Sequence, residues 1–421
     1  MRSGSSPKES RRATRSTTDA PPPWYNARLN IKQTRRDMPI VPSIVRALAL
    51  LLASASALAL ETPIPNPPSV PVESYILLDH HSSRVLAELD ADVRMEPASI
   101  TKLMTAYVVD KALRDGDISL EDNVLVSERA WRTGGSRMFI EVGTQVSVVN
   151  LLRGLIIQSG NDAAVALAEH VAGSEEGFAA LMNHYAEQLG LTNTHFVNST
   201  GLPDAEHYST ARDIASLSSA LITEFPGSYG LNAEREFEFN GIKQYNRNRL
   251  LWRDESVDGL KTGWTRTAGY CLAASAVRGD QRLISVVLGS PNDKSRLSAT
   301  QTLLAYGYRF YTTRKLYDAG EALTDTRVWK GENSQLALGL GRALYVTVPR
   351  GRYKDLTATM SVHPSVEAPV ASGTELGMVQ VALDDRIVTE IPLVALADVA
   401  EAGLVGRVTD QAIMMFQSLF E

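Results

Sequence analysis

Tyr270-Cys271-Leu272-Ala273-Ala274-Ser275-Ala276 and Arg282-Leu283-Ile284-Ser285-Val286-Val287-Leu288 are two apolar, partly β-branched runs parted by Arg278-Gly279-Asp280. Runs of this length split by a polar turn read as neighbouring antiparallel strands. Upstream, 75–79 and 85–89 flank His80-His81-Ser82-Ser83-Arg84 and read as a β-hairpin. Between these strand signals lie helical patterns at 99–113, 149–159, 163–171, 176–189 and 210–221, the last with Ser209 or Thr210 as its cap. A further helix over 298–310 closes the region. Helices around a largely antiparallel sheet predict a mixed α+β enzyme domain over 62–317, behind a proline-rich, extended lead-in.

From about 318 the texture changes. Short strand signals at 326–330, 335–340, 343–348, 356–362, 378–383 and 387–392 alternate with glycines and charged turns, and predict a small all-β domain over 318–398. The tail 403–421 is an amphipathic helix. Leu404, Val405, Val408, Ala412, Met415, Phe416, Leu419 and Phe420 line one side; Arg407, Asp410, Gln411, Gln417, Ser418 and Glu421 line the other. Such a helix can dock on its own β domain or lie on a membrane. Its polar side is not basic, which weakens attraction to anionic lipid.

At 421 residues the chain has room for two or three domains. With 44% hydrophobic and 21% charged residues it can bury ordinary cores. Its net charge is −6, but residues 1–59 hold ten basic and three acidic residues, leaving 32 basic and 45 acidic in the rest. An acidic body argues against a nucleic-acid binder. One cysteine, Cys271, excludes an intramolecular disulfide. Residues 1–37, rich in Ser, Thr, Arg and Pro, read as a disordered or misassigned extension. At 38–59, Arg46 precedes an uncharged run that ends in the small-residue sites Ala55-Ser56-Ala57 and Ala57-Leu58-Ala59. This is the pattern of a secretory signal peptide, too short for a transmembrane span of about 20 residues. Translation from Met38, or an unusually long leading region, would both account for the extension.

Three short motifs carry the chemistry. In Ser99-Ile100-Thr101-Lys102, helical spacing places the Lys102 amine beside the Ser99 hydroxyl. Serine needs a base to become a nucleophile, and a buried amine held neutral can serve. In Ser159-Gly160-Asn161, the glycine allows a tight turn between two helical runs. Ser159 could relay a proton there, and Asn161 could bind a carbonyl or orient Lys102. Lys261-Thr262-Gly263 precedes the 270–276 strand and is expected on a strand edge. Lysine and threonine would hold an acidic group, and Gly263 would admit a substrate backbone. An edge-strand N–H and the Ser99 N–H would then form an oxyanion hole. Each motif alone is weak; the three in this order, 60 and 102 residues apart, are specific.

The chain, from about Tyr75 onward, resembles the low-molecular-mass penicillin-binding proteins that act as serine D-alanyl-D-alanine carboxypeptidases, of the DacA type. Further matching stretches are Leu189-Gly190-Leu191-Thr192-Asn193-Thr194-His195-Phe196, Tyr208-Ser209-Thr210-Ala211-Arg212-Asp213 and Asn246-Arg247-Asn248. The resemblance implies a penicillin-binding transpeptidase-like α+β domain, the all-β domain and a membrane-associating helix. It also implies that Ser99 attacks the bond between the two terminal D-alanines of a peptidoglycan stem peptide. Lys102 would act as base, with Ser159 and Lys261 relaying protons. Asn161, Thr262, Gly263 and Arg296 would bind substrate, while Arg247 and Gly160 brace the site. The glycine-rich stretch 133–138 would border the cleft. β-Lactams should acylate Ser99 and leave slowly, since no separate deacylating glutamate is assignable. No metal and no cofactor are implied, and the active site would face the periplasm. The alternatives are an endopeptidase or transpeptidase on cross-linked peptidoglycan, or a non-catalytic cell-wall-binding protein of the same fold.

Overall fold

The structure is a computed structural model that describes residues 64–417 and the short strand β1 (Lys32–Gln33). The expected signal peptide, the remainder of the extension before it and the last four residues lie outside the described residues.

The first unit runs through β2 (Ser74–Asp79), β3 (Val85–Leu89), a 3-10 turn (Ala98–Thr101), α1 (Lys102–Asp115), β4 (Asn123–Leu125), α2 (Glu128–Arg132) and β5 (Gln145–Ser147). It continues through α3 (Val148–Arg153), a π-helical turn (Gly154–Gln158), α4 (Asn161–Ala172), α5 (Glu175–Gln188), α6 (Ala211–Glu224), α7 (Pro226–Tyr229), β6 (Glu236–Phe239) and β7 (Ile242–Tyr245). It closes with β8 (Val257–Thr265), β9 (Gly269–Arg278), β10 (Gln281–Ser290) and α8 (Asp293–Phe310).

Its sheet is antiparallel, in the order β3-β2-β10-β9-β8. The two runs that predict strands become β9 and β10 at its centre. They read as apolar without alternation because both faces are covered. Cys271 and Ala273 of β9 face a core built on α1, α4 and α6. Leu272, Ala274 and Ala276 face a second core closed by Leu297, Leu303 and Leu304 of α8. Strand β8 is left at an edge of the sheet.

Helix starts follow local capping. Thr210 accepts from the Asp213 N–H at the start of α6, and Asn292 from the Ser295 N–H at the start of α8. That cap explains why α8 begins at Asp293, ahead of the apolar run expected from 298.

The second unit contains β11 (Tyr311–Tyr317), β12 (Ala322–Trp329), β13 (Gln335–Leu340), β14 (Leu344–Pro349), β15 (Leu356–Val362), β16 (Val366–Glu367), β17 (Glu375–Leu383) and β18 (Arg386–Ala395). The larger sheet is ordered β1-β15-β17-β18-β13-β12-β16, and β11 pairs with β14. The β domain therefore takes in residues ahead of 318. The units meet at the β2–β3 turn, where Asp79 accepts from Ser82 and Thr313 and Arg84 donates to the Thr347 carbonyl. The closing helix α9 (Leu404–Gln417) is tied down by Asp410, which accepts from the Lys330 N–H (2.6 Å) and from Arg327 (3.2 Å). Leu404, Val405 and Val408 remain exposed on α9. Among the described residues no helix is long and apolar enough to cross a membrane.

Candidate active site

Ser99 lies in the 3-10 turn that runs into α1, and Lys102 is the first residue of that helix. The short spacing returns the lysine to the serine: its Nζ donates to Ser99 Oγ at 3.1 Å. It also donates to Asn161 Oδ1 (2.6 Å) and to the Thr200 carbonyl (2.6 Å). Three acceptors match the three protons of an ammonium; loss of one leaves a lone pair to receive a proton.

The lysine is 1% exposed. Burial pulls its pKa down to about 7, against the opposing charges of Asp162 and Glu175. Near neutral pH it is thus divided between acid and base forms, as a general base requires. Lys261 is also buried, and its pKa is well below the ordinary lysine value. Burial is the main cause; Lys102, Arg247 and Arg296 add positive charge.

Ser159 ends the π-helical turn in the left-handed region (φ 65°) and is buried. This corrects the reading of Gly160 as the residue that makes the tight turn. Gly160 has φ −61°, open to any residue. Its need is for space: a Cβ would come within 2.7 Å of Asp162 Oδ1 and 3.1 Å of the Met138 nitrogen. Asn161 is committed at both ends of its amide, accepting from Lys102 and donating from Nδ2 to the Gly134 carbonyl (2.7 Å).

The Lys261-Thr262-Gly263 motif lies within β8, on the free edge. Lys261 Nζ donates to the Thr262 carbonyl at 3.0 Å. Gly263 has a different reason from the one its sequence context implies. A Cβ there would lie 2.9 Å from the Pro97 carbonyl and 3.2 Å from the Ser99 nitrogen. The missing side chain lets the Pro97–Ser99 turn pack on the strand; the space it leaves is occupied by protein.

Arg296 is buried rather than solvated, 6% exposed on α8. Its Nη1 donates to the carbonyls of Gly263 (3.3 Å) and Cys271 (3.2 Å), and its Nη2 to Asp293. It therefore braces β8 from behind. Arg247 reaches Ser136 Oγ with Nη2 (3.3 Å), while its backbone N–H donates to the Ile157 carbonyl. That ties the 133–140 segment to the end of the π-helical turn.

Three contributions escape the motifs. Asp162 accepts from the N–H groups of Met138, Phe139 and Ile140 at 3.0, 2.9 and 3.3 Å, and from Ala163 at 2.9 Å. It pins the segment bordering the cleft; its position after Asn161, at a helix N-terminus, was the available signal. Thr200 acts through a carbonyl and has no side-chain signature. His207 receives the Val197 N–H at Nδ1, so its proton sits on Nε2 and is given to Thr101 Oγ1 (2.8 Å). Burial pushes its pKa down to about 4, so it stays neutral. The only base hydrogen-bonded to Ser99 among the described residues is Lys102.

Residues 61–292 match the family model for D-alanyl-D-alanine carboxypeptidase, and 311–401 match that for the penicillin-binding protein 5 C-terminal domain. The chain is 45% identical to D-alanyl-D-alanine carboxypeptidase DacC of Escherichia coli, over 90% of this chain and 98% of that protein. Penicillin-binding protein 5 from Haemophilus influenzae superposes with a TM-score of 0.75 at 41% identity, covering 80% of this chain and 100% of that one. Penicillin-binding protein D2 from Listeria monocytogenes, in its ampicillin-bound form, does so at 0.54 and 31% identity over 58% of this chain and 99% of that one.

Proposed function

The chain belongs to the D-alanyl-D-alanine carboxypeptidase family, and from that premise we propose that Ser99 is the nucleophile that removes the terminal D-alanine from peptidoglycan stem peptides. The enzyme is a serine-type hydrolase. The observation that carries the assignment of roles is the 3.1 Å bond from Lys102 Nζ to Ser99 Oγ in a buried setting.

In the proposed reaction Ser99 Oγ attacks the carbonyl carbon of the penultimate D-alanine, and its proton passes to neutral Lys102. Negative charge on the carbonyl oxygen is met by the Ser99 N–H and an N–H of the β8 edge, which Gly263 brings together. Lys261 and Thr262 hold the terminal carboxylate, with Arg296 stiffening the strand behind them. The C–N bond then breaks, and the leaving amine takes its proton from Lys102 through Ser159. Water attacks the ester by the reverse route and frees the shortened peptide. Penicillin enters the same way and leaves slowly. Asp162, one of the two carboxylates whose charge reaches Lys102, is held by four N–H groups and cannot activate water.

We place the enzyme on the periplasmic side of the inner membrane, with the exposed apolar residues of α9 resting on the lipid. The experiment is intact-mass measurement after incubation with a reporter penicillin, beside Ser99→Ala. A stable adduct in the parent alone supports the assignment; an adduct on the variant refutes it. Product analysis on monomeric pentapeptide and cross-linked dimer then separates carboxypeptidase from endopeptidase action.

A further inference from the structure

The carbonyl that holds Lys102 belongs to a segment with little regular structure, so something must hold the segment. Asn198 Oδ1 shapes it locally, accepting from the Thr200 N–H, the Thr200 hydroxyl and the Gly201 N–H. Gly201 rests directly on the nucleophile turn; a Cβ there would lie 1.9 Å from the Ala98 carbonyl. The segment thus touches both members of the Ser99–Lys102 pair. Its anchor to the rest of the fold is Glu175, the first residue of α5 and nearly buried. Oε1 of Glu175 accepts from the Ser199 N–H (3.1 Å) and the Ser199 hydroxyl (2.8 Å). Oε2 accepts from Arg129 of α2 at 2.8 Å. From the other side Thr105 of α1 donates to the Ser199 carbonyl at 2.7 Å.

We propose that Glu175 is a positioning residue for catalysis, acting on Lys102 through the 198–201 segment and held in turn by Arg129. This rests on Lys102 being the base. The same bonds occupy both carboxylate oxygens, so Glu175 is no candidate for activating the deacylating water. Its second effect is electrostatic. The charges facing Lys102 are Asp162 of α4 and Glu175 of α5, which favour its protonated form, and Lys261 of β8, which opposes it; Asp110, two turns along α1, lines the same cavity and is common to parent and variants. His207, beside the turn, is neutral. Arg129 offsets part of the Glu175 charge and is itself shared with Glu176.

The two partners should therefore move the lysine in opposite directions. Glu175→Gln keeps the shape and an acceptor oxygen but removes the charge. The acid limb of penicillin acylation should move down by roughly half to one pH unit. Arg129→Gln should move it up by a few tenths of a unit, because that side chain is half exposed and screened. The experiment is the pH profile of second-order acylation for parent, Glu175→Gln and Arg129→Gln, with thermal melts to verify folding. Opposite shifts support the proposal; a purely structural role would lower rates without moving the limb. A parent limb near pH 7 that neither variant moves overturns it. A parent profile flat from pH 5 to 8 overturns both this proposal and the Lys102 assignment. Should Glu175→Gln not fold, Arg129→Gln alone decides by the presence or absence of its upward shift.

Discussion

Replacing Asp110 with asparagine isolates the cost of one charge in the core. Lys102, Ala106 and Asp110 are four residues apart on α1 and share a face. All three line a small cavity, together with Ser228, Asn232 and Lys261. Asp110 is 6% exposed, and its Oδ1 has no hydrogen-bond partner. Burial raises its pKa from 3.8 to about 7, with the Ser228 side chain opposing the rise. A raised carboxyl pKa means the folded protein holds its proton over a range where the unfolded chain has lost it. Stability from this group is complete below pH 3.8 and declines until the pH passes about 7. At about 1.4 kcal/mol per unit, the loss is roughly 1.5 kcal/mol at pH 5 and about 4 kcal/mol at pH 8. Asparagine keeps the volume and carries no such dependence. The stability difference between variant and parent should thus swing by roughly 2–3 kcal/mol in favour of Asp110→Asn from pH 5 to pH 8. Urea unfolding of the first unit, followed by tryptophan fluorescence at several pH values, measures it. A difference that stays constant across that range would refute the reasoning, whatever its absolute size.

Gly263→Ala should leave the fold standing but slow acylation of Ser99 by about ten- to a hundredfold, because the new methyl displaces the nucleophile turn. Stopped-flow measurement with a chromogenic β-lactam tests this, and a rate within twofold of the parent would show that the turn yields freely. Truncation after residue 402 should abolish binding to lipid vesicles without altering penicillin acylation. Binding of the full chain should depend weakly on anionic lipid, because Arg407 is paired with Glu401 and Asp410 with Arg327. Flotation across lipid compositions checks this, and an affinity climbing steeply with anionic lipid would contradict it.

Much of the fold and the heart of the site are local properties of the chain. Two apolar runs around Gly279 specify a neighbouring antiparallel pair of strands; that both of their faces are covered emerges only from the packing. Ser-x-x-Lys specifies its own geometry, because one helical turn suffices to bring Nζ to Oγ. The cap at Thr210 was equally legible, acting within three residues; Asn292 lies ahead of the apolar run that marks α8, so that start was not. Tertiary structure decided what depends on distant partners. Asp162 grips backbone N–H groups 22 to 24 residues earlier, and the Thr200 carbonyl meets Lys102 across 98 residues. Neither N–H nor C=O groups differ in kind from residue to residue, so no pattern of side chains announces them. The purposes of Gly160 and Gly263 were decided in the same way, since both are defined by what would collide with a side chain that is absent. So was the basicity of Lys102. A sequence supplies an amine of ordinary strength; only burial, set by every element packed around it, pulls its pKa down to about 7.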